Sequence, residues 1–275
     1  MKKITYSSHY ITNKDLISVN RQLQSEFITR GPATDKFERE INKVTNSKFC
    51  AVTNSATASL IISCKALDLK KNDLVWTTPN SFASTANCAL ICGAKVDFVD
   101  IELDTYNICL NSLEKKLKHS KKLPKIIIPV HFAGYPLDMK KLYNLKKKYK
   151  FKIIEDASHA IGAKRPDHTV GDCKYSELTV FSFQAVKVIT TGEGGCITTN
   201  NKGLYEKCKL LRSHGITKNN KFFINKKNKY FPWYYEQIDL SQNYYLPDIN
   251  CALGISQIKN LKKKLKRRNK IYLYY

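Results

Sequence analysis

The sequence predicts an α/β protein, a mostly parallel seven-stranded sheet with helices on both faces. Three observations carry that expectation. Short β-branched or aromatic runs bounded by turn signals occur at 48–53, 73–77, 95–99, 125–130, 151–155, 178–183 and 195–199. Helix-length segments at 56–69, 84–92 and 137–149 lie between several of them, and strand–helix alternation of this kind builds parallel sheets covered by helices. Each motif with chemical potential falls just after one of these strands, where ligands of such sheets gather.

The later chain reads differently. Residues 215–250 are polar and rich in Asn and Lys, then aromatic through Tyr230-Phe231-Pro232-Trp233-Tyr234-Tyr235. So many rings want burial or a partner surface, which makes the segment an excursion and not a linker. A single helix is expected from 248 to about 270, with Ile249, Ala252, Leu253, Ile255, Ile258 and Leu261 on its apolar side.

At 275 residues and 43% hydrophobic composition, the chain can bury a sizeable core. No apolar run has the length to cross a bilayer, and the first residues lack a signal peptide's apolar region, so the expected address is cytoplasmic. The nine cysteines are scattered, with neither C-x-x-C nor zinc-ligand spacing, and read as free thiols with no metal site. A net charge of +24 raises the question of nucleic acid or another polyanion. The lysines are, however, spread as singles and short runs, as solvated helix faces would have them. No nucleic-acid or membrane partner is expected, although a field of this sign would attract a diphosphate-bearing substrate.

Four elements carry candidate chemistry. Asn54-Ser55-Ala56-Thr57 follows a strand and opens a helix, whose free amides make a phosphate site; an ordinary N-cap has the same pattern. Glu155-Asp156-Ala157-Ser158-His159 places a carboxylate at a strand end, able to hold a cofactor nitrogen protonated; a capped turn is the plainer alternative. Lys187 follows the apolar strand Phe181-Ser182-Phe183 and precedes a Gly-rich turn, where desolvation would make it an amine nucleophile; a lysine snorkelling from a turn is the ordinary case. Phe82 sits on another strand-end loop and alone would be read as core. Together they supply a phosphate cradle, a carboxylate, an aromatic face and a reactive lysine, the inventory needed for pyridoxal 5′-phosphate (PLP). His131 at a further strand end either lines the same cleft or is a satisfied structural histidine.

These residues resemble the DegT/StrS family of sugar aminotransferases over essentially the whole chain. The likeness rests on Gly31-Pro32, Asn54-Ser55-Ala56-Thr57, Glu155-Asp156-Ala157, Phe181-Ser182-Phe183 with Lys187, Thr191-Gly192-Glu193-Gly194-Gly195 and Arg212-Ser213-His214-Gly215. Ile4-Thr5-Tyr6-Ser7, Phe27-Ile28-Thr29, Pro129 to Gly134 and Pro232-Trp233-Tyr234-Tyr235-Glu236-Gln237 carry a narrower likeness. It is to enzymes that aminate C4 of a UDP-linked 4-keto-6-deoxy-N-acetylhexosamine in pseudaminic acid biosynthesis.

The resemblance implies the large domain of a fold type I PLP enzyme at 1–247, and at 248–275 a helix leading to a small C-terminal domain that this chain lacks. It implies that Lys187 forms the internal aldimine and shuttles the proton between Cα and C4′. Asp156 would pair with the pyridine nitrogen, Phe82 stack on the ring, and His159 lie near the ring hydroxyl. The phosphate would be held by the Ala56 and Thr57 amides, the Ser182 hydroxyl, and Asn243 reaching from the partner of a homodimer. Tyr6, Glu26, Phe27, Ile28 and Thr29 match substrate-side positions. L-Glutamate is the implied amino donor in a ping-pong reaction. Family dehydratases carry histidine in place of the lysine, and Lys187 argues against that chemistry.

The sequence also departs from the pattern. Gln184 stands where many members have histidine, Val188 where proline or asparagine is usual, and Tyr245 where arginine is frequent. Three other readings stand beside this one: a PLP lyase or desulfurase sharing the Asp, Lys and phosphate loop, though neither a catalytic cysteine nor a donor-specific arginine is evident; a cofactor-binding but inactive remnant, from the short length; and a basic polyanion-binding protein, to which 218–235 comes nearest.

Overall fold

The computed structural model describes residues 8–225 and 231–274. In chain order the helices are α1 (Asn13–Leu23), α2 (Pro32–Thr45), α3 (Ala56–Ala66), α4 (Ser84–Ile91), α5 (Leu110–His119), α6 (Met139–Tyr149), α7 (Lys202–Arg212), α8 (Asp248–Lys259) and α9 (Leu261–Tyr272). The strands are β1 (Phe49–Thr53), β2 (Leu74–Thr77), β3 (Lys95–Phe98), β4 (Ile126–Ile127), β5 (Lys152–Asp156), β6 (Lys164–Arg165), β7 (His168–Thr169), β8 (Leu178–Ser182), β9 (Gly195–Thr199), β10 (Ile216–Thr217) and β11 (Glu236–Gln237). Seven of them form one sheet in the order β1-β9-β8-β5-β4-β2-β3, and the four short ones pair as β6–β7 and β10–β11. Within the large sheet only β9 runs against its neighbours, β1 and β8; the other pairings are parallel.

Period-two alternation sends successive residues of each strand to opposite faces. On one face Ala51, Val75, Ile154, Val180 and Ile197 pack beneath α3, α4 and α7. On the other, Cys50, Val52, Phe181 and Cys196 meet α2 and α8, while Trp76, Ile127 and Ile153 meet α5 and α6. The expected seven strands and two helical layers are therefore all present.

Boundaries moved for identifiable reasons. The run expected at 125–130 is a named strand only at Ile126 and Ile127; Pro129 has no amide to donate and interrupts it, and pairing with β5 resumes as a single parallel bridge from Val130 to Asp156. The helix expected from 248 to about 270 is two helices that meet at Asn260. There the amide bonds back to Gln257 in a tightened turn and the carbonyl opens the next helix by accepting from Lys264. Asparagine favours such a break because it competes poorly as a helix interior residue. α8 lies in the core, with Cys251, Ile255 and Ile258 among the residues around Phe37 and Phe183.

All nine cysteines are free thiols, and all except Cys92 and Cys109 are buried. Among the described residues no helix is long and apolar enough to cross a membrane, and no cluster of His, Cys, Asp or Glu is arranged to hold a metal ion.

Candidate active site

A cavity of about 600 Å³ opens where β5, β8 and the loops after β1 and β2 end. Ala56, Thr57, Phe82, Asp156, His159, Ser182 and Lys187 all line it. Strand ends in a parallel sheet aim their following loops to one side, which is why residues more than a hundred positions apart converge here.

The phosphate end is built by the turn from β1 into α3. Ser55 caps the helix by accepting the Ala58 amide at 3.0 Å, and its carbonyl takes the Ser59 amide. That leaves the Ala56 and Thr57 amides without a protein acceptor among the described residues, at the positive end of the helix dipole. Gly195 keeps this corner tight. A Cβ there would sit 2.5 Å from the Ala56 nitrogen, so β9 starts against the cradle only because it starts with glycine. The Ser182 hydroxyl accepts the Gln184 amide at 3.5 Å, and its own proton finds no acceptor among the described residues.

Across the cavity lies Asp156, the last residue of β5 and almost wholly buried. One carboxylate oxygen accepts from the Ser158 hydroxyl at 2.6 Å and the Ser158 amide at 3.2 Å. The other accepts from the Thr85 hydroxyl at 2.7 Å. Neither Thr85 nor Ser158 stood out in the sequence. An Asp-x-Ser turn could have pointed to Ser158, since an Asp side chain commonly accepts the backbone amide two residues on. Nothing local marked Thr85.

Lys187 sits on the loop between β8 and β9. The loop is fixed by Thr190 and Thr191 bonding to the Phe183 carbonyl, by Gly192 in the left-handed region at φ +83°, and by Asn250 of α8 donating to the Thr191 carbonyl. Burial lowers the Lys187 amine below the usual lysine range, and the negative charge of Asp156 only partly opposes this. His159 is likewise lowered, by burial and by the positive charge of Lys187, against the opposing pull of Asp156. The aromatic of the loop after β2, Phe82, is 78% exposed at the mouth.

Other anticipated residues lie elsewhere. His131 is not in the cleft but sealed inside, where Leu137 donates to Nδ1 at 3.1 Å and Nε2 meets Glu155 at 2.8 Å. It is the satisfied structural histidine of the two readings. Glu26, Phe27, Ile28 and Thr29 are exposed on the α1–α2 connection and do not line the cavity. Asn243 is exposed, bridged to Ser213, and also outside it. Tyr6 lies outside the described residues.

The groups present fit PLP chemically. Two free helix amides and a hydroxyl await a phosphate, a carboxylate faces them across the cavity, and an easily neutralised lysine stands beside it. Solved structures share the architecture. The chain superimposes on Helicobacter pylori PseC, "aminotransferase involved in the biosynthesis of pseudoaminic acid", with a TM-score of 0.84 at 32% identity, covering 95% of this chain and 67% of that one. It superimposes on the PLP form of a putative sugar aminotransferase from Streptococcus pneumoniae, Spr1654, with a TM-score of 0.86 at 27% identity, covering 98% and 69%.

Fold and cleft thus define a PLP-dependent aminotransferase. The chain belongs to the DegT/DnrJ/EryC1/StrS aminotransferase family, whose model it matches over residues 9–275. Among curated relatives it is 42% identical over 273 residues to a UDP-4-amino-4,6-dideoxy-N-acetyl-beta-L-altrosamine transaminase of Campylobacter jejuni, covering 99% of this chain and 68% of that protein. It is 33% identical over 278 residues to the protein of the same name from Helicobacter pylori, covering 69% of its length. The chain therefore spans about two thirds of these relatives.

Proposed function

We propose that this chain transfers the amino group of L-glutamate to C4 of a UDP-linked 4-keto-6-deoxy-N-acetylhexosamine, using Lys187 and PLP. The observation that carries the chemistry is the pairing, across one cleft, of a lysine amine lowered by burial with the buried carboxylate of Asp156. The names of the Campylobacter and Helicobacter relatives support the substrate.

When bound, the cofactor supplies an electrophilic aldehyde carbon and a ring that withdraws electrons from the carbon losing its proton. Lys187 Nζ is the group that would bond to that aldehyde carbon. As an amine lowered by burial, it is also suited to take a proton from the donor's Cα and to return one. Asp156 would hold the ring nitrogen's proton, Phe82 would cover one ring face, and His159, kept neutral by its surroundings, would sit beside the ring hydroxyl. The Ala56 and Thr57 amides and the Ser182 hydroxyl would bind the phosphate.

We further read the working unit as a homodimer. The exposure of Phe82 at the cleft mouth, and of Asn243 away from it, fits a second copy whose Asn243 reaches this phosphate. Glu26 to Thr29 and Tyr6 would then face substrate. Residues 1–247 would form the cofactor-binding domain, with 248–275 leading towards the portion of the relatives beyond this match. The enzyme would act in the cytoplasm, where nucleotide sugars are made.

The test is spectroscopic. Purified chain given PLP should develop a visible band that borohydride fixes on Lys187 and that L-glutamate bleaches, and the UDP-keto-sugar should then restore it. Lys187→Ala should lack the band while keeping its circular dichroism. A band of undiminished strength in Lys187→Ala would overturn the assignment.

A further inference from the structure

We propose that Thr85 is a positioning residue for Asp156, the end of a directed hydroxyl relay Ser81→Thr85→Asp156 that fixes the carboxylate against the cofactor ring. The inference rests on the reading of Asp156 given above and concerns only residues of this chain.

The relay's direction follows from proton count. Asp156 as a carboxylate has no proton to give, so at 2.7 Å Thr85 must donate its single hydroxyl proton to Oδ2. The Thr85 and Ser81 oxygens are 2.6 Å apart, and with the Thr85 proton already committed, Ser81 must be the donor of that pair. Thr85 is fully buried, whereas Ser81 is half-buried and lines the cavity. Hydroxyls in series polarise one another, so the chain strengthens the bond that reaches the carboxylate.

Position in the chain gives the arrangement its use. A threonine in the first turn of a helix ordinarily bonds to nearby backbone. Thr85 instead bonds to a residue 71 positions away. Its amide bonds to the Phe82 carbonyl at 3.0 Å, so the single turn that presents the aromatic also holds the carboxylate. With Ser158 on Oδ1 and Thr85 on Oδ2, Asp156 is gripped at both oxygens and cannot rotate out of plane. Held at both oxygens in this way, the carboxylate is placed to meet a proton on the ring nitrogen of a bound cofactor.

The test compares Thr85→Val, which keeps shape and loses the hydroxyl, with Thr85→Ser, which keeps the hydroxyl. Two quantities are read on the full chain: the PLP dissociation constant, and the 15N resonance of PLP labelled at its ring nitrogen. Thr85→Val is expected to weaken PLP binding about tenfold to a hundredfold, the scale of one hydrogen bond to a charged group, and to move the resonance towards the unprotonated position. Thr85→Ser should return both to within about threefold of wild type. Ser81→Ala should move the resonance the same way by less. Wild-type values in Thr85→Val, or a Thr85→Ser as impaired as the valine variant, would overturn the proposal. If Thr85→Val fails to fold, Ser81→Ala decides, and an unmoved resonance there overturns the relay. Wild-type chain that shows no Lys187-dependent band with PLP would remove the cofactor reading itself, an outcome separate from a band whose ring nitrogen ignores Thr85.

Discussion

Two carboxylates stand side by side at the end of β5, and alternation turns them to opposite faces of the sheet. Glu155 points into closed interior. Its oxygens accept from the His131 ring at 2.8 Å, from Thr179 at 2.9 Å, and from Ser176. Burial alone would raise its carboxyl, but these donors outweigh burial and hold it below the ordinary range. Asp156 has donors as well, from Ser158 and Thr85, yet it borders a cavity where a further group can pair with it. The same chemistry therefore serves two ends. A carboxylate with every partner inside the protein contributes to stability, while one that faces an open cleft is available for function.

Exchanging these two residues for their amides should separate those roles. Asp156→Asn is expected to have the largest effect, lowering transamination by about a hundredfold or more through loss of the charge proposed to face the cofactor ring. Its melting temperature should stay within a few degrees of wild type, roughly the effect of 1 kcal/mol in a domain of this size. Kinetics and a thermal melt on the same preparation check both halves. A melt that collapses with the activity would erase the distinction.

Glu155→Gln should behave in the opposite sense. It leaves three donors facing a group that accepts less well, and buried donors left poorly satisfied cost about 2 kcal/mol. The stabilisation by Glu155 is complete above its ordinary value of 4.5 and is lost as pH falls through its lower value in the folded chain. Wild type should therefore lose stability on acidification through that window, and Glu155→Gln should lose less. Urea melts at neutral and acidic pH measure the difference, while PLP uptake by the variant at low temperature should remain close to wild type.

The smallest effect expected is on the pH profile of cofactor capture. Because Lys187 is lowered from 10.5, its neutral form appears earlier, and the rate of PLP uptake should rise with pH and level off below that value. Asp156 opposes the lowering, so Asp156→Asn should shift the midpoint further down, and Glu155→Gln should leave it in place. Stopped-flow absorption against pH reads all three. A midpoint that moves with Glu155 instead would show that the two faces of β5 are not electrically distinct.

Much of the cleft was legible beforehand because its parts are local patterns at strand ends. Asn54-Ser55-Ala56-Thr57, Asp156 and Lys187 each follow an apolar run, and a sheet with parallel strands brings such positions to one rim. The thiol states were equally legible, from composition and spacing. His131 was not resolved by sequence, since the alternatives differ only in which way a strand-end ring turns, and that depends on Glu155, 24 residues away. Thr85 carried no signal because a threonine in a helix's first turn is commonplace, and only its distant partner makes it informative.

By itself, then, the sequence determined what depends on short-range periodicity and turn chemistry: seven strands, two helical layers, a glycine-hinged lysine loop and a helix that opens with free amides. The tertiary structure decided what depends on contacts between distant residues. It set the strand order that places β5 beside β8, the break at Asn260, the sealing of Glu155 by His131, and the grip of Thr85 on Asp156. Local patterns fix backbone conformation because their energetics lie within one turn or one strand, whereas a side chain's role is set by neighbours that only packing supplies.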